Sequence, residues 1–332
     1  MATKPLRILH CAMFSVNKYG ANYYSGHTRL SNGFIRNGHF VYNFSYRDVA
    51  REEAPLGIKE LGMKKMNKRF VETAERISAD VVLLGHAEFI EAETLIEIKK
   101  RLPNCKIVMW WVDWWHNLVK YDAVMSRRMS LLDALFMTSE PDYVREQYAP
   151  TRDVDKFFFM PNSCDSSMDT GNAYDVAKPM HDVLFIGRSF GSRESLLAHL
   201  KQNMGDINLG LYGQGRKNFV TGHRYMELVA NCRIGISFNR DNTMPLYTSN
   251  RMVHLAANGC LVLTPRTPHL EEIFSSDEVV YFDTVHDCED KIRHYLAHPE
   301  EAVEIAKAGQ KRAHTDYDAR VISSMMLKKI LN

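Results

Sequence analysis

The stretch MPLYTSNRMVHLAANGCLVLTPRTPHLEEIF, residues 244–274, decides the fold class. Ser249 or Asn250 can cap a helix that turns Met252, Val253 and Ala256 inward, and Gly259 ends it. The apolar run Cys260 to Thr264 then reads as a strand buried on both faces, and Pro265 and Pro268 shape the loop before a helix begun by Leu270 and Glu271. Helix, glycine stop and buried strand make the repeating unit of a parallel, doubly wound sheet.

The same alternation runs outward in both directions. Upstream, strands are predicted over Arg7 to Phe14, His39 to Ser45, Asp80 to Gly85, Lys106 to Val112, Ala134 to Thr138 and Lys156 to Pro161. Helical patterns lie between them, as at Phe70, Val71, Ala74 and Ile77 and from Glu91 to Leu102. The stretch NSCDSSMDTGNAYDVAKP after Pro161 is rich in Ser, Asn, Asp and Gly without an apolar period, and reads as a linker. Beyond it strands are predicted over Val183 to Gly187, Ile207 to Gly213, Arg233 to Phe238, Cys260 to Thr264 and Val279 to Phe282, and the tail from Pro299 is helical. The expectation is an α/β protein of two Rossmann-like doubly wound domains facing a cleft: residues 1–165, residues 180–312, and a C-terminal helix over 313–332 packing back on the first domain.

Composition agrees. A chain of 332 residues exceeds what one core usually supports, and 25% charged with 45% apolar residues is the balance of a folded globular protein. A formal charge of +2 is too small for a chain built mainly to bind polyanions. No window approaches the roughly 18 apolar residues of a membrane span, and the start lacks a signal-peptide core, so cytoplasmic residence is expected. Cysteines at 11, 105, 164, 232, 260 and 288 are scattered, without a Cys-x-x-Cys pair or a Cys/His cluster at zinc spacing, and read as reduced, mostly buried thiols.

Ligands of doubly wound sheets sit at the carboxyl ends of the strands, so the candidate site residues are sought there. In DVLFIGRSFGSRESLLAHL, residues 182–200, a strand, a glycine turn at Gly187 and a helix bring Arg188 and Arg193 to a helix start, where they face a diphosphate or simply solvent. Tyr212 and Gly213 follow another strand, and the tyrosine ring suits stacking on a base. Ser249, Asn250 and Arg251 open the helix whose first amides favour an anion, and His254 lies one turn further on.

The first half offers KIVMWWVDWWHNL, residues 106–118, with all four tryptophans around Asp113. Asp113 is the first candidate for a general base and His116 the competing one; Trp114 and Trp115 offer faces for a sugar ring, although at least two of the four indoles are expected simply to fill the core. His86 and Glu88 follow a strand end and are further candidates for base or acceptor contact, as is His27 in the loop VNKYGANYYSGHTRL; solvated loops and a capped helix start are the plain alternatives. Asp153 with Asp155 and Asp316 with Asp318 have the spacing of cation ligands, but lie beside basic residues or away from the expected cleft, and no metal is assigned. The basic runs Lys64, Lys65, Lys68, Arg69 and Lys99, Lys100, Arg101 read as solvated helix faces.

The runs Tyr-x-Ser-Asn-Arg-Met, Ala-x-Gly-Cys-Leu-Val-Leu-Thr and Pro-x-Leu-Glu-Glu-x-Phe resemble the C-terminal half of CgeB-like, spore-maturation-type glycosyltransferases of GT-B fold, over Asp182 to about Leu331 and more loosely before it. The resemblance implies a nucleotide-sugar donor held by the second domain through Arg188, Arg193, Tyr212, Tyr247, Ser249, Asn250 and Arg251. His254 stands where related enzymes carry a ribose-binding glutamate, a departure that leaves the choice of nucleotide open. The resulting expectation is a metal-independent glycosyltransferase with no cofactor beyond its co-substrate, a UDP-sugar. The acceptor is left open among saccharide, lipid-linked glycan, protein and modified DNA, as is the oligomeric state. Two rivals are a glycosyltransferase of a hydroxymethylated DNA base and a non-catalytic sugar-nucleotide-binding protein.

Overall fold

Apolar runs become strands wherever helices cover both faces of a parallel sheet. The computed structural model describes residues 4–112, 127–148, 155–189, 191–215 and 218–331. The chain divides into two compact units, one comprising Met1–Met160 with Ala319–Asn332 and the other Pro161–Asp318.

In the first unit, strands β1 (Arg7–Ala12), β2 (Phe40–Ser45), β3 (Val81–Gly85), β4 (Lys106–Trp111), β5 (Ala134–Met137) and β6 (Phe157–Phe159) form one sheet in the order β2-β1-β3-β4-β5-β6. Every pairing is parallel. The order reverses between β1 and β3, which makes the loops after those two strands the ligand-binding edge. Helices α1 (Gly26–Arg36), α2 (Tyr46–Glu52), α3 (Lys59–Arg76), α4 (Ala92–Arg101) and α5 (Pro141–Tyr148) fall between the strands. Ser25 caps α1 by accepting from the Thr28 amide at 3.4 Å.

In the second unit, β7 (His181–Ile186), β8 (Leu209–Tyr212), β9 (Cys232–Ile236), β10 (Leu261–Pro265) and β11 (Val280–Phe282) take the order β11-β10-β9-β7-β8, again all parallel. Here the reversal lies between β7 and β9. Helices α6 (Ser192–Asn203), α7 (Gly222–Ala230), α8 (Asn250–Ala257), α9 (Val285–Ala297) and α10 (Pro299–Asp316) complete it, and α11 (Ala319–Leu331) returns to the first unit. There α11 lies against α1 so closely that a Cβ on Gly33 would fall on the Ala319 carbonyl, and Asn37 donates to the Arg320 carbonyl at 2.8 Å. The core of the second unit gathers Val183, Phe185, Leu196, Leu200, Ile234, Leu261 and Leu263, with β7, β9 and β10 at its centre. All six cysteines are buried and none forms a disulfide. Among the described residues no helix is long and apolar enough to cross a membrane.

Candidate functional site

Two arginines dominate the reversal point of the second sheet. Arg251, in the first turn of α8, donates from Nε to the Ile186 carbonyl at 2.6 Å and from Nη1 to the Phe238 carbonyl at 3.2 Å, so it bridges the ends of β7 and β9. Its guanidinium also lies 4.8 Å from the centre of the Phe185 ring. Arg193, buried in α6, donates from Nε to the same Phe238 carbonyl at 2.9 Å and from Nη1 to the Arg188 carbonyl at 3.2 Å. Burial, and after it the charge of Arg193, bring the Arg251 pKa down to about 10. Two cations are thus held by main-chain carbonyls at one point, an arrangement that attracts an anion.

Three hydroxyls near the ends of β9, β10 and the start of α8 are buried. Ser249 precedes α8, and its Oγ is buried with no hydrogen-bond partner among the described residues. The hydroxyls of Ser237, just past β9, and of Thr264, in β10, are in the same condition. Buried polar atoms ordinarily find a partner. Asn239 fixes the approach to α8 by donating to the Tyr247 carbonyl at 2.9 Å and accepting from the Ser249 amide at 2.9 Å. Gly213, at φ +81°, packs against the backbone of Gly187, and a Cβ there would come to 3.0 Å from it.

The other second-unit candidates are placed as follows. Arg188 is exposed at the turn after β7. Asn250 is the first residue of α8, and Tyr247, three residues before it, is buried. Tyr212 turns its hydroxyl to His181 Nε2 at 2.8 Å. His254 is buried in α8 with Nδ1 3.0 Å from the Tyr225 hydroxyl.

At the reversal point of the first sheet, imidazoles and indoles pack together. His10 takes a hydrogen bond from Trp110 Nε1 at 3.2 Å and has Ser31 Oγ 2.8 Å from Nδ1. His27 lies with its ring centre 5.0 Å from that of Trp110, and its Nδ1 has no partner among the described residues. Burial, then the nearby charge of His86, push the His27 pKa down to about 3, so the ring is neutral. His86 stacks on Trp111 at 4.0 Å and accepts from the Val112 amide at 3.3 Å. His86 and Ala87 take φ values of 58° and 45°, a left-handed turn directly after β3.

Glu88 is committed to internal partners: the Tyr46 hydroxyl donates to it, and Arg47 Nη2 lies 3.3 Å away. Burial raises its pKa, but the bonds from Tyr46 and the backbone and the charge of Arg47 outweigh that and hold it below its usual value. Arg128 is fully buried and donates to the Ala87 carbonyl at 2.8 Å. Asp113, Trp114, Trp115 and His116 lie outside the described residues. Trp110 and Trp111 are buried in β4.

Sequence reasoning did not single out Ser237, Asn239, Thr264, Arg128 or Tyr46. For Ser237 and Asn239 a signal was present, because polar residues directly after a buried strand at a reversal point face the ligand edge. Arg128 carried no such signal, since a buried arginine looks like a surface one in sequence.

Residues 188–327 match a family model described as glycosyl transferase-like. Among solved structures, a glycosyltransferase from Rickettsia africae ESF-5 superposes with a TM-score of 0.64 at 12% identity, covering 99% of this chain and 100% of that one. An alpha-glucosyltransferase in complex with UDP-glucose and DNA containing an abasic site gives 0.67 at 13%, covering 99% and 100%. AviGT4, a glycosyltransferase involved in avilamycin A biosynthesis, gives 0.64 at 16%, covering 98% and 97%. No curated protein sequence matches. The fold is that of GT-B glycosyltransferases.

Proposed function

We propose that the protein is a glycosyltransferase of the CgeB-like kind that moves a sugar from a nucleoside diphosphate, a UDP-sugar, to a hydroxyl acceptor without a catalytic metal. The observation that carries this reading is the pair Arg193 and Arg251 on the shared Phe238 carbonyl, beside the first turn of α8. A diphosphate there meets two fixed cations, the helix amides and the Ser249 hydroxyl. The same groups stabilise the charge that develops on the departing diphosphate, which is the work a metal does in other transferases.

The general base belongs to the first unit. Glu88 is held ionised by Tyr46 and Arg47, and His86 is stacked and bonded, so both are occupied by structure. Asp113, directly after β4 and Val112, is the group we assign to proton removal from the acceptor.

A saccharide or other small hydroxyl acceptor is favoured over DNA by the state of the basic runs. Arg69 is paired with Glu52 and Glu53, Lys68 with Glu72, Lys99 with Asp133 and Arg101 with Glu75 and Glu97, so much of their charge is answered on the protein itself. The test is a thermal-shift panel of nucleotides and nucleotide sugars, followed by a transfer assay in the presence of a chelator. UDP and one UDP-sugar are expected to raise the melting temperature, Arg251→Ala to abolish the rise, and Asp113→Asn to keep it while removing turnover. Binding without turnover against every acceptor class points to a sensor, and steeply salt-dependent duplex DNA binding to the DNA reading.

A further inference from the structure

We propose that Cys164, His314 and Asp318 form a binding site for a thiophilic divalent cation, zinc by the chemistry of its donors. Cys164 Sγ lies 4.0 Å from His314 Nδ1 although the two residues are 150 positions apart, and the ligand atoms of all three side chains lie within 4.8 Å of one another. In a tetrahedral zinc site, with metal–sulfur near 2.3 Å and metal–nitrogen near 2.0 Å, the sulfur and nitrogen stand about 3.6 Å apart. A contraction of a few tenths of an ångström therefore completes that edge.

The imidazole is set for the purpose. His314 Nε2 lies 2.8 Å from the Ala257 carbonyl, which can only accept, so the proton resides on Nε2 and the lone pair of Nδ1 points to the thiol. Metal-bound histidines are held in this way, with the distal N–H given to a carbonyl. The other two ligands are pinned by main chain. Cys164 and Asp318 form a parallel bridge, the Cys164 amide donates to the Tyr317 carbonyl at 2.9 Å, and the Ser166 amide donates to Asp318 Oδ2 at 3.0 Å.

The donor set chooses the ion. One sulfur, one nitrogen and one oxygen suit zinc and disfavour magnesium and calcium, which take oxygen alone. Cys164 and Asp318 are both buried, and on binding the thiol proton leaves to solvent, so thiolate and carboxylate together match the charge of the dication. The ion stands apart from the proposed donor site, because the Ala257 carbonyl is at the end of α8 opposite to Ser249 and Arg251. It would clamp the segment by which the chain enters the second unit to the one by which it leaves. Cys164 Sγ lies 3.2 Å from the Ala313 carbonyl, a contact the thiol gives up with its proton on binding. A second group, His199, His286 and Glu289, also has metal-ligating atoms close together, but it lacks sulfur, its His286 is exposed and its Glu289 is already ion-paired with Arg293 at 3.1 Å, which makes it a control.

The test uses the full chain, stripped of metal and titrated with cobalt(II). One equivalent is expected to bind with a sulfur-to-cobalt charge-transfer band that zinc abolishes by displacement. Cys164→Ser should lose the band, His314→Gln and Asp318→Asn should weaken binding at least tenfold, and His286→Ala and Cys232→Ser should leave it unchanged. Absence of the band from the unaltered protein, its persistence in Cys164→Ser, or its loss in Cys232→Ser alone overturns the proposal. Should Cys164→Ser not fold, the zinc-induced rise in melting temperature serves instead: it should be present in His286→Ala and absent from His314→Gln, and an equal rise in both refutes the site.

Discussion

Gly187→Ala probes the arginine pair with a single carbon. Gly187 has no left-handed φ, so alanine accepts its backbone, and the question is one of space. The added Cβ would stand 2.6 Å from Arg251 Nη2 and 3.2 Å from Phe185 Cζ, where ordinary contacts need about 3.5 Å or more. The guanidinium must therefore retreat by about 1 Å. It has little slack, being tied to the Ile186 carbonyl at 2.6 Å and to the Phe238 carbonyl at 3.2 Å, and a shift of that size takes at least one bond out of range. The methyl also fills the room over Gly187 to which Nη2 is open. A hydrogen bond involving a charged group contributes about 1.5–3 kcal/mol, so UDP affinity should fall roughly 10- to 150-fold. A carbonyl left without its donor should lower stability by about 1–3 kcal/mol. Calorimetric titration with UDP, set beside urea unfolding of the same protein, measures both; Gly205→Ala, with nothing within 4 Å of its Cβ, is the matched control. Undiminished UDP affinity in a Gly187→Ala protein that has lost stability would refute the assignment of Arg251 to the ligand and leave it as a strap between strands.

Three further outcomes follow from the first unit. Arg128→Met strands the Ala87 carbonyl and removes a charge facing Glu88, and should cost about 3 kcal/mol in urea unfolding. Gly33→Ala drives a methyl into the Ala319 carbonyl and should destabilise the protein by about 1–3 kcal/mol through α11, seen as faster amide exchange in that helix. His27 has a folded-state pKa near 3 against an unfolded value near 6.5, so the unfolded chain takes up the proton first and stability falls as pH drops from about 6.5 towards 3. Burial lowers His10 as well, with the same sign, so His27→Gln should make the slope of stability against pH shallower in that window without flattening it.

The strands were legible because parallel strands buried on both faces leave continuous apolar runs, and all of those read from the sequence are present in the two sheets. Their ends were less so. The first was expected to reach Phe14, but β1 stops at Ala12, where its pairing with β2 ends at Ser45 and no partner remains for Met13 and Phe14. Helix α2 is short and charged and owes its place to the burial of Tyr46 and Ala50, a single i, i+4 pair in seven residues that is too brief to stand out as a period. Arg251 was legible as a cation at a helix start. That two of its nitrogens are spent on the carbonyls of Ile186 and Phe238 depends on how β7 and β9 lie side by side, a fact of topology that spacing does not encode. Cys164, His314 and Asp318 were invisible as a group for the same reason: ligand spacing in sequence finds only sites built on one local segment.

The tethering of Arg193 and Arg251 bears on how the site works. Holding two guanidinium groups on one carbonyl costs the folded protein their desolvation and, after it, their mutual repulsion, and burial followed by the charge of Arg193 lowers the Arg251 pKa accordingly. That cost is met at folding, so in the function proposed above an arriving diphosphate would not have to order either side chain and would gain the relief of the repulsion besides. Under the same proposal the gain would grow as charge accumulates on the departing diphosphate, because the cations do not move. An arginine free in solvent would give up side-chain entropy at each turnover and would favour the ground state as much as the transition state. On this argument the backbone bonds that remove donors from Arg251 are the source of its usefulness, because they leave one edge of the guanidinium aimed and the rest immobile.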